Sequence, residues 1–288
     1  MNVKDQIRDI VPDGALRCFS GNFTVIGDIA ILSLAPEMTE YAPLIARAII
    51  SRRRNIRTVM NKTTRVRGCN RTAHLEIIAG TDTVTTHHEY GFAYRLDVQT
   101  VFYNPSLARE RKRVTDQVQS GERVLVPFCG VGPFVIPAAA RWAEVIAVEQ
   151  NPDACRWLAE NVVLNGVSDR VKTIHGDAFD TSCIPSYSYD RVIIPTPYGR
   201  DTIFDHSAPR VRQGGMIHFY TFKNREQVRD LAGKFESSGF EVMVVRKCGN
   251  VAPAVSRWVF DLRVTGTSCH PVFAEQKPSV SEIRTAGV

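Results

Sequence analysis

The chain has 288 residues, of which 44% are apolar and 23% charged, and its formal net charge is +6. This composition is typical of a globular protein with a sizeable core, so it excludes global disorder and a fibrous repeat. No apolar run approaches the ~20 residues of a membrane span, and the charged N-terminus does not resemble a secretory signal. Seven scattered cysteines without a C-x-x-C pair indicate free thiols, a cytoplasmic location and no bound metal.

The excess of positive charge is concentrated in one N-terminal stretch. Nine basic residues and no acidic residue lie between Tyr41 and Leu75, so the rest of the chain has 27 basic and 30 acidic residues. Concentrated arginine suits contact with nucleic-acid phosphates. The alternative is a solvated helix face whose acidic partners lie elsewhere in the fold, but the absence of any acid favours nucleic acid. The nine residues are Arg47, Arg52, Arg53, Arg54, Arg57, Lys62, Arg65, Arg67 and Arg71.

Strand and helix patterns alternate in the second half of the chain. Almost continuously apolar strands are predicted at 123–128, 145–148, 171–174, 189–194 and 216–222, with helices at 134–143, 151–165, 201–211 and 224–238. Gly214 and Gly215 are expected to end the third of these helices. Two final strands, at 240–246 and 257–264, are joined by a connection short enough for antiparallel pairing. The pattern predicts a doubly wound α/β domain, in which helices cover both faces of a parallel sheet.

The first hundred residues show a different pattern. A hairpin around Gly27-Asp28, a helix at 37–54 and strands at 58–62, 73–78 and 92–98 are predicted. The domain organisation that follows is a smaller α+β module at 1–103, a catalytic domain at 104–266 and a polar, loose tail at 267–288.

A candidate ligand site follows the first three strands of the second half. Cys129-Gly-Val-Gly-Pro-Phe134 comes between a strand and a helix, where Gly130 and Gly132 would let the backbone approach a ligand. Glu149 ends the second strand and suits the hydroxyls of a ribose, and Asp177 follows the third and suits an adenine amine. Ligands of open α/β sheets bind at such strand ends. The alternative is a tight turn with two solvated acids.

The spacing also discriminates between cofactors. A dinucleotide site needs Gly or Ala at the third fingerprint position, where this chain has Val135. That disfavours NAD and favours S-adenosylmethionine, which has no pyrophosphate. After the fourth strand, Pro195-Thr-Pro-Tyr-Gly199 forms a rigid, aromatic turn of the kind on which methyltransferases of amino groups hold a flat base.

Six segments of the second half carry a more specific signal. They are Asn104-Pro-Ser-Leu-Ala-Arg-Glu-Arg-Lys-Arg113, Pro127-Phe-Cys-Gly-Val-Gly-Pro-Phe134, Glu149-Gln-Asn-Pro-Asp153, Glu160-Asn-Val-Val-Leu-Asn165, Asp190-Arg-Val-Ile-Ile-Pro195 and Gly215-Met-Ile-His-Phe-Tyr220. Together they resemble the archaeal and eukaryotic tRNA (guanine-N1) methyltransferases, which modify the purine 3′ of the anticodon. The aminocarboxypropyl transferases of wybutosine synthesis belong to the same family. The resemblance extends from about Gly27 to Val264.

The resemblance implies a class I methyltransferase fold, S-adenosylmethionine as cofactor and tRNA as partner. It implies that Glu110 is the general base, that Arg71 stabilises charge on O6 and that Pro197 is the retained proline of the catalytic turn. The alternatives are a salt-bridge role for Glu110 and a phosphate contact for Arg71. The implied cofactor contacts are Phe102, Phe128, Gly130, Gly132, Glu149, Gln150, Asn151, Asp177, Ala178 and Pro195.

Two positions depart from the family pattern. The guanine methyltransferases carry Asn-Leu-Pro after the fourth strand, where this chain has Pro195-Thr-Pro197. They usually carry an acidic residue near the end of the first strand, where this chain has Val126. Methylation of guanine N1 is nevertheless the favoured reaction, because the six segments together resemble the guanine methyltransferases. Aminocarboxypropyl transfer to a tricyclic guanine derivative is the second possibility, and an inactive RNA-binding protein that keeps the cofactor fold is the third.

Overall fold

The computed structural model describes residues 3–64, 73–266 and 270–273. Arg65, Arg67, Arg71 and most of the predicted tail lie outside the described residues. The helices are α1 (Val3–Ile7), α2 (Asp13–Arg17), α3 (Ala42–Arg52), α4 (Ala108–Thr115), α5 (Val135–Ala140), α6 (Pro152–Leu164), α7 (Ile203–Ser207) and α8 (Arg225–Ser237). The strands are β1 (Thr24–Ile26), β2 (Ile29–Leu32), β3 (Thr58–Lys62), β4 (Leu75–Ala79), β5 (Val84–Glu89), β6 (Phe92–Asp97), β7 (Arg123–Pro127), β8 (Glu144–Glu149), β9 (Val171–His175), β10 (Tyr189–Ile194), β11 (Val211–Lys223), β12 (Phe240–Ala252) and β13 (Val255–Val264).

The chain folds as two compact units. The first consists of Met1–Arg109, Gly130–Pro133 and Gln150–Gly166, and the second of Glu110–Cys129, Phe134–Glu149 and Val167–Val288. Two short segments of the second half of the sequence therefore belong to the first unit. None of the described helices is long and apolar enough to span a membrane.

The first unit contains a four-stranded sheet in the order β1-β2-β3-β4 and a separate β5-β6 hairpin. The predicted hairpin around Gly27 is confirmed as the antiparallel pair β1-β2. The predicted helix at 37–54 is present as a 3-10 turn followed by α3, whose Ala42, Ile45, Ala46 and Ile49 are buried. That spacing of three and four residues places one apolar face against the core. The sequence did not predict β5, because its polar residues show no clear alternation.

The second unit is built on a seven-stranded sheet in the order β12-β13-β11-β10-β7-β8-β9. The five strands from β11 to β9 pair in parallel, and β13 and β12 are antiparallel additions. The predicted α/β class is confirmed, as is the antiparallel pairing of the final two strands. Five phenylalanines whose rings pack against one another occupy the core beside β11, β13 and α8. They are Phe204, Phe219, Phe235, Phe240 and Phe260.

The region before β11 differs from the prediction. The helix expected at 201–211 is limited to α7 and a 3-10 turn, and Gly214 and Gly215 lie inside β11 rather than at a helix end. The pairing of β11 with β10 is shifted between Tyr189 and Arg191, so extra residues of β11 bulge from the sheet. Gly214 has φ of +77°, and a Cβ on Gly215 would lie 2.8 Å from the Asp190 carbonyl oxygen. The two glycines therefore allow the backbone conformation and the close packing that the bulge requires.

Candidate functional site

The carboxyl ends of β7, β8 and β9 lie side by side in the second unit. The Cys129 N–H donates to the Val148 carbonyl oxygen at 3.2 Å, and the Gly176 N–H donates to the Glu149 carbonyl oxygen at 2.9 Å. These bonds bring Glu149 and Asp177 to one edge of the sheet, as the sequence indicated. Glu149 is half-buried and Asp177 is exposed. One Asp177 carboxylate oxygen accepts the Phe179 N–H at 3.0 Å, which leaves its other oxygen for a ligand.

Aromatic side chains border these acids. Phe128 follows β7 with φ of +54°, a left-handed conformation that is strained for a residue with a side chain. Its ring centroid lies 6.1 Å from that of Phe179, and Ala178, which precedes Phe179, is buried. Pro195, at the end of β10, is half-buried. The backbone strain holds an apolar ring at the strand ends, where a cofactor base could pack.

The other candidate cofactor residues belong to the first unit. Gly130 and Gly132 both have positive φ, +56° and +95°, and a Cβ built on Gly130 would meet open space. Asn151 is buried and caps α6, because its Oδ1 accepts the Asp153 N–H while its Nδ2 donates to the Thr100 carbonyl oxygen. Its side chain therefore has a structural function in this unit. Gln150 and Phe102 are exposed.

Glu110 lies in the second unit and is only 6% exposed. The Arg113 guanidinium binds it, because Nη2 donates to Oε1 at 2.6 Å and Nε lies 3.0 and 3.1 Å from the two carboxylate oxygens. Tyr220 donates its hydroxyl to Oε1 at 3.2 Å, and Arg246 Nε lies 3.7 Å from Oε2. The salt-bridge interpretation of Glu110 therefore matches the structure, and its role as a base stays a prediction.

Arg113 connects Glu110 to a longer chain of buried charges. Its Nη1 donates to Asp261 Oδ2 at 2.6 Å, and Asp261 Oδ1 lies 2.7 Å from His218 Nδ1. His218 Nε2 in turn lies 2.6 Å from Arg191 Nη1, and Arg191 donates two hydrogen bonds to Glu122 at 2.8 and 2.9 Å. We call these six residues, from Glu110 to Glu122, the ion network.

The hydrogen bonds of the ion network fix the protonation of His218. An arginine can only donate, so His218 Nε2 must accept from Arg191 and its proton must reside on Nδ1, facing Asp261. Burial lowers the pKa of His218, and the positive charges of Arg191 and Arg113 act in the same direction. His218 is therefore a neutral, fully buried imidazole that links a carboxylate to a guanidinium.

Burial and the contacts of the network shift the pKa values of Asp261, Arg113 and the neighbouring Cys248. Burial raises the pKa of Asp261, but hydrogen bonds from His218 and Arg113 outweigh it and hold the pKa well below its usual value. Burial lowers the pKa of Arg113, but its bonds to Asp261 and Glu110 outweigh this and raise it. Burial, with the charge of Glu110, raises the pKa of the nearby Cys248 thiol to about 12. Asp261 and Arg113 thus stay charged, whereas the Cys248 thiol stays protonated.

Backbone hydrogen bonds within the turn after β10 stabilise it. The Thr196 N–H donates to the Ile194 carbonyl oxygen at 2.8 Å, and the Arg200 N–H to that of Pro197 at 3.1 Å. Pro197 is half-buried, whereas Tyr198 is 55% exposed and packs its ring 5.5 Å from Phe222. With Pro195 at the first position, the turn presents no side-chain amide there.

The basic stretch is exposed where the structure describes it, in the first unit. Arg47, Arg52, Arg53 and Arg54 lie on or just after α3 with exposed side chains. Arg53 lies over the Phe23 ring at 5.3 Å, and Arg57 forms a loose pair with Asp28 at 3.6 Å. These contacts leave the positive charge largely available to a polyanion.

The sequence analysis missed most of the ion network. The signal was present as polar residues beside apolar ones, since Arg191 precedes Val-Ile-Ile in β10, His218 lies between Ile and Phe in β11, and Asp261 lies between Phe and Leu in β13. Buried polar groups need partners, so such positions mark a network even when the partner is unknown. Within the described ranges, no group of three His, Cys, Asp or Glu side chains is arranged to hold a metal ion.

Comparison with known proteins reveals two family matches. Residues 85–243, more than half of the chain, match the TRM5/TYW2 methyltransferase domain, and residues 3–83 match the TYW2 N-terminal domain. The tRNA (guanine(37)-N(1))-methyltransferase Trm5b of Pyrococcus abyssi is 36% identical over 264 residues, which cover 88% of this chain and 78% of the relative. The tRNA(Phe) (4-demethylwyosine(37)-C(7)) aminocarboxypropyltransferase of Pyrococcus horikoshii is 29% identical over 275 residues, 91% of this chain and 97% of that relative.

Solved structures match over the same extent. The complex of aTrm5 and tRNALeu has a TM-score of 0.82 at 25% identity and covers 92% of this chain and 78% of that chain. TYW2 of P. horikoshii in complex with MeSAdo has a TM-score of 0.75 at 27% identity and covers 91% of this chain and 98% of that chain. Sequence motifs, strand order and these likenesses agree. The chain therefore belongs to the TRM5/TYW2 methyltransferase family.

Proposed function

We propose that this protein transfers a carbon group from S-adenosylmethionine to the base 3′ of the anticodon of a tRNA, and that the reaction is methylation of guanine N1. The observation that carries the proposal is the 36% identity to Trm5b over 88% of the chain. The exposed arginines of the first unit support a tRNA partner, because each phosphate they neutralise releases counterions. We propose residues 104–266 as the extent of the catalytic domain.

Aminocarboxypropyl transfer is the second candidate, and two observations favour it. Residues 3–83 match the TYW2 N-terminal domain. Pro195 also replaces the asparagine that the resemblance led us to expect after the fourth strand. Both reactions use the same cofactor and differ in which carbon–sulfur bond breaks.

Mass spectrometry of tRNA after incubation with S-adenosylmethionine separates these functions. A gain of about 14 Da identifies methyl transfer and a gain of about 101 Da aminocarboxypropyl transfer, since the cofactor fixes the group and the protein only positions it. Two substrates are needed, one with guanine and one with 4-demethylwyosine at the target position. We expect the smaller gain, on guanine. No gain on either tRNA would contradict both reactions and favour an inactive RNA-binding protein.

The strand-end residues fit the cofactor. A half-buried carboxylate at the end of β8 and an exposed one after β9 occupy the edge where sheets of this class bind nucleosides. In our proposal Glu149 accepts the ribose hydroxyls, Asp177 the adenine amine, and Phe128 and Ala178 pack against the base. When bound, S-adenosylmethionine supplies an electrophilic carbon on a sulfonium centre. The candidate contacts in the first unit stay predictions.

The chain's own residues must then accept the proton of guanine N1 and stabilise the negative charge that develops on O6. Guanine N1 becomes nucleophilic when it loses its proton, and the charge spreads to O6. Glu110 is proposed as the base, since Oε2 accepts fewer hydrogen bonds than Oε1. Pro197 and its turn would limit the movement of the target base. Arg71, proposed to face O6, lies outside the described residues.

The Glu110→Gln substitution tests the base. It keeps the shape of the side chain and removes its ability to accept the proton, so we expect a single-turnover rate loss of roughly 10²–10⁴-fold. Glu241→Gln is the matched control, because Glu241 lies in the same unit and makes an exposed pair with Arg263. A Glu110→Gln variant that transfers the group at the wild-type rate would restrict Glu110 to its salt bridge.

The Glu149→Ala substitution tests the cofactor assignment. Loss of hydrogen bonds to a charged acceptor should weaken S-adenosylmethionine binding by at least ~1 kcal/mol, measured by calorimetry. Glu144→Ala is the control, because Glu144 is an exposed carboxylate at the opposite end of the same strand. Equal affinities for the two variants would remove Glu149 from the ribose site.

A further inference from the structure

The two carboxylate oxygens of Glu110 are engaged unequally. Oε1 accepts from two Arg113 nitrogens and from the Tyr220 hydroxyl, whereas Oε2 accepts from Arg113 Nε at 3.1 Å. The Arg113 guanidinium also donates to Asp261 through Nη1 and Nη2. Arg113 therefore fixes the carboxylate in place and is not available to a substrate.

Arg246 is also a cation beside Glu110, but its position differs from that of Arg113. Its Nε lies 3.7 Å from Glu110 Oε2, and its side chain is 51% exposed while that of Glu110 is 7% exposed. A separation of 3.7 Å exceeds hydrogen-bond distance, so the pair is loose and its donors can turn to another acceptor. In the sheet, Arg246 lies opposite Val259, which lies opposite Tyr220. Arg246 thus stands beside the less engaged oxygen of Glu110 and in contact with solvent.

Glu110 and Arg246 together present a hydrogen-bond acceptor beside hydrogen-bond donors, as recognition of one edge of guanine requires. Guanine presents an N–H donor at N1 beside an acceptor at O6, so its recognition needs an acceptor next to a donor. Glu110 Oε2 is an acceptor, and the Arg246 guanidinium carries donors in a planar fork. No other side chain needs to move for the two to lie side by side, because they already do.

We propose that Arg246 is a catalytic residue that donates to O6 of the target guanine while Glu110 Oε2 takes the N1 proton; this rests on the proposed guanine-N1 transfer. The proton passes from N1 to Oε2, and the electron pair left behind is shared with O6, where Arg246 stabilises it. N1 then uses that pair to bond the transferred carbon, whose bond to sulfur breaks with both electrons on sulfur. Glu110 ends as the carboxylic acid and loses its proton to water.

The test pairs a substrate atom with a protein side chain. Single-turnover rates are measured for tRNA with guanine or 6-thioguanine at the target position, because sulfur at position 6 is a poorer hydrogen-bond acceptor. With guanine, Arg246→Ala should lower the rate by about 10²-fold, as for the loss of one oxyanion donor. With 6-thioguanine the same substitution should cost at least about tenfold less, because the contact is already weakened. Arg246→Lys, which keeps a donor, should recover part of the rate with guanine.

Lys247→Ala is the matched control. Lys247 carries the same charge on the same strand but lines a groove with Trp258, to which it is paired, rather than facing Glu110. Both single substitutions should weaken equilibrium tRNA binding to a similar, small extent. Only Arg246→Ala should change the ratio of guanine to 6-thioguanine rates.

Three results would overturn the inference. The first is an equal rate loss for Arg246→Ala and Lys247→Ala, which would indicate a general attraction for RNA. The second is a ratio of guanine to 6-thioguanine rates that Arg246→Ala leaves unchanged but Arg71→Ala lowers, because this result would assign the O6 contact to Arg71 alone. The third is a wild-type protein that leaves guanine unmodified but modifies 4-demethylwyosine, and this result would also reject the proposed methyl transfer, whereas the first two leave it intact.

Discussion

Arginine occurs in two contrasting environments in this protein. In the second unit, Arg191 is buried and Arg113 largely enclosed, and each is held by carboxylates at 2.6 to 3.1 Å. In the first unit, Arg52, Arg53 and Arg54 project into solvent at the end of α3. The same side chain fixes protein groups in one place and remains available for an external partner in the other.

The difference teaches that burial, rather than charge number, separates internal from external roles. A guanidinium removed from water must be paired, because desolvation of an isolated ion costs several kcal/mol. An exposed guanidinium keeps its hydration and makes weak, salt-sensitive contacts. Substitutions in the ion network should therefore lower the free energy of unfolding, whereas substitutions in the basic stretch should weaken RNA binding and leave stability nearly unchanged.

The largest expected effect is on stability. Asp261→Asn preserves shape but removes the charge that Arg113 and His218 share, so Arg113 retains Glu110 as its only carboxylate among the network contacts described. Breaking a buried ion pair should lower the free energy of unfolding by about 3–5 kcal/mol, measured by urea denaturation. Glu241→Gln, in an exposed pair, should change it by less than about 0.5 kcal/mol. Comparable losses in both variants would end the distinction between buried and exposed charge.

A second effect of the network should appear as pH dependence. The pKa of His218 is lowered in the folded state, so the unfolded chain binds a proton near its usual pKa of about 6.5 while the folded protein does not. His218 therefore favours folding above that pH, and the free energy of unfolding should fall by up to about 1.4 kcal/mol per unit as pH drops below it.

The measurement is urea denaturation between about pH 7.5 and 5, over which the unfolded histidine takes up its proton. His218→Gln should lose this slope, although it is destabilised at every pH. His88→Gln, a substitution at an exposed position of β5, should retain it. An unchanged slope in His218→Gln would show that the buried imidazole is not the source.

The smallest change in stability is expected in the basic stretch. Replacing Arg52 and Arg54 together by Ala should alter the free energy of unfolding by less than about 0.5 kcal/mol. The log–log salt dependence of tRNA binding should nevertheless flatten by about 1–2 units, because two phosphate contacts are lost. The control removes two exposed charges from α8, in Arg229→Ala with Lys234→Ala. If both double variants leave the slope unchanged, the basic stretch is a solvated face.

The order of strands and helices was predictable because apolar runs and turn residues are local signals. The apolar segments that became β7, β8 and β10 and the Asn151 cap of α6 needed no information from distant residues. The glycine bulge in β11 was not predictable, because Gly214 and Gly215 are equally consistent with a helix end. Only the pairing with β10 decides between the two.

The candidate site divides in the same way. The positions of Glu149 at the end of β8 and of Asp177 just after β9 were predictable because strand ends can be counted from sequence, and their cofactor contacts stay predictions. The ion network was missed because its contacts depend on register, in particular on His218 lying opposite Asp261 in the antiparallel pair β11-β13. A one-residue change of register would place these side chains on opposite faces of the sheet.

The position of β13 also has a consequence for the order in which the protein becomes complete during synthesis. β13 lies between β11 and β12, so a strand made after both of them must enter between them. Asp261, which it carries, follows Arg113 by 148 residues. Chains emerge from the ribosome with the N-terminal part first, and contacts this distant form slowly. On a nascent chain, Arg113 and His218 lack their shared carboxylate until β13 has been translated, so the contacts around Glu110 are completed only after that strand emerges.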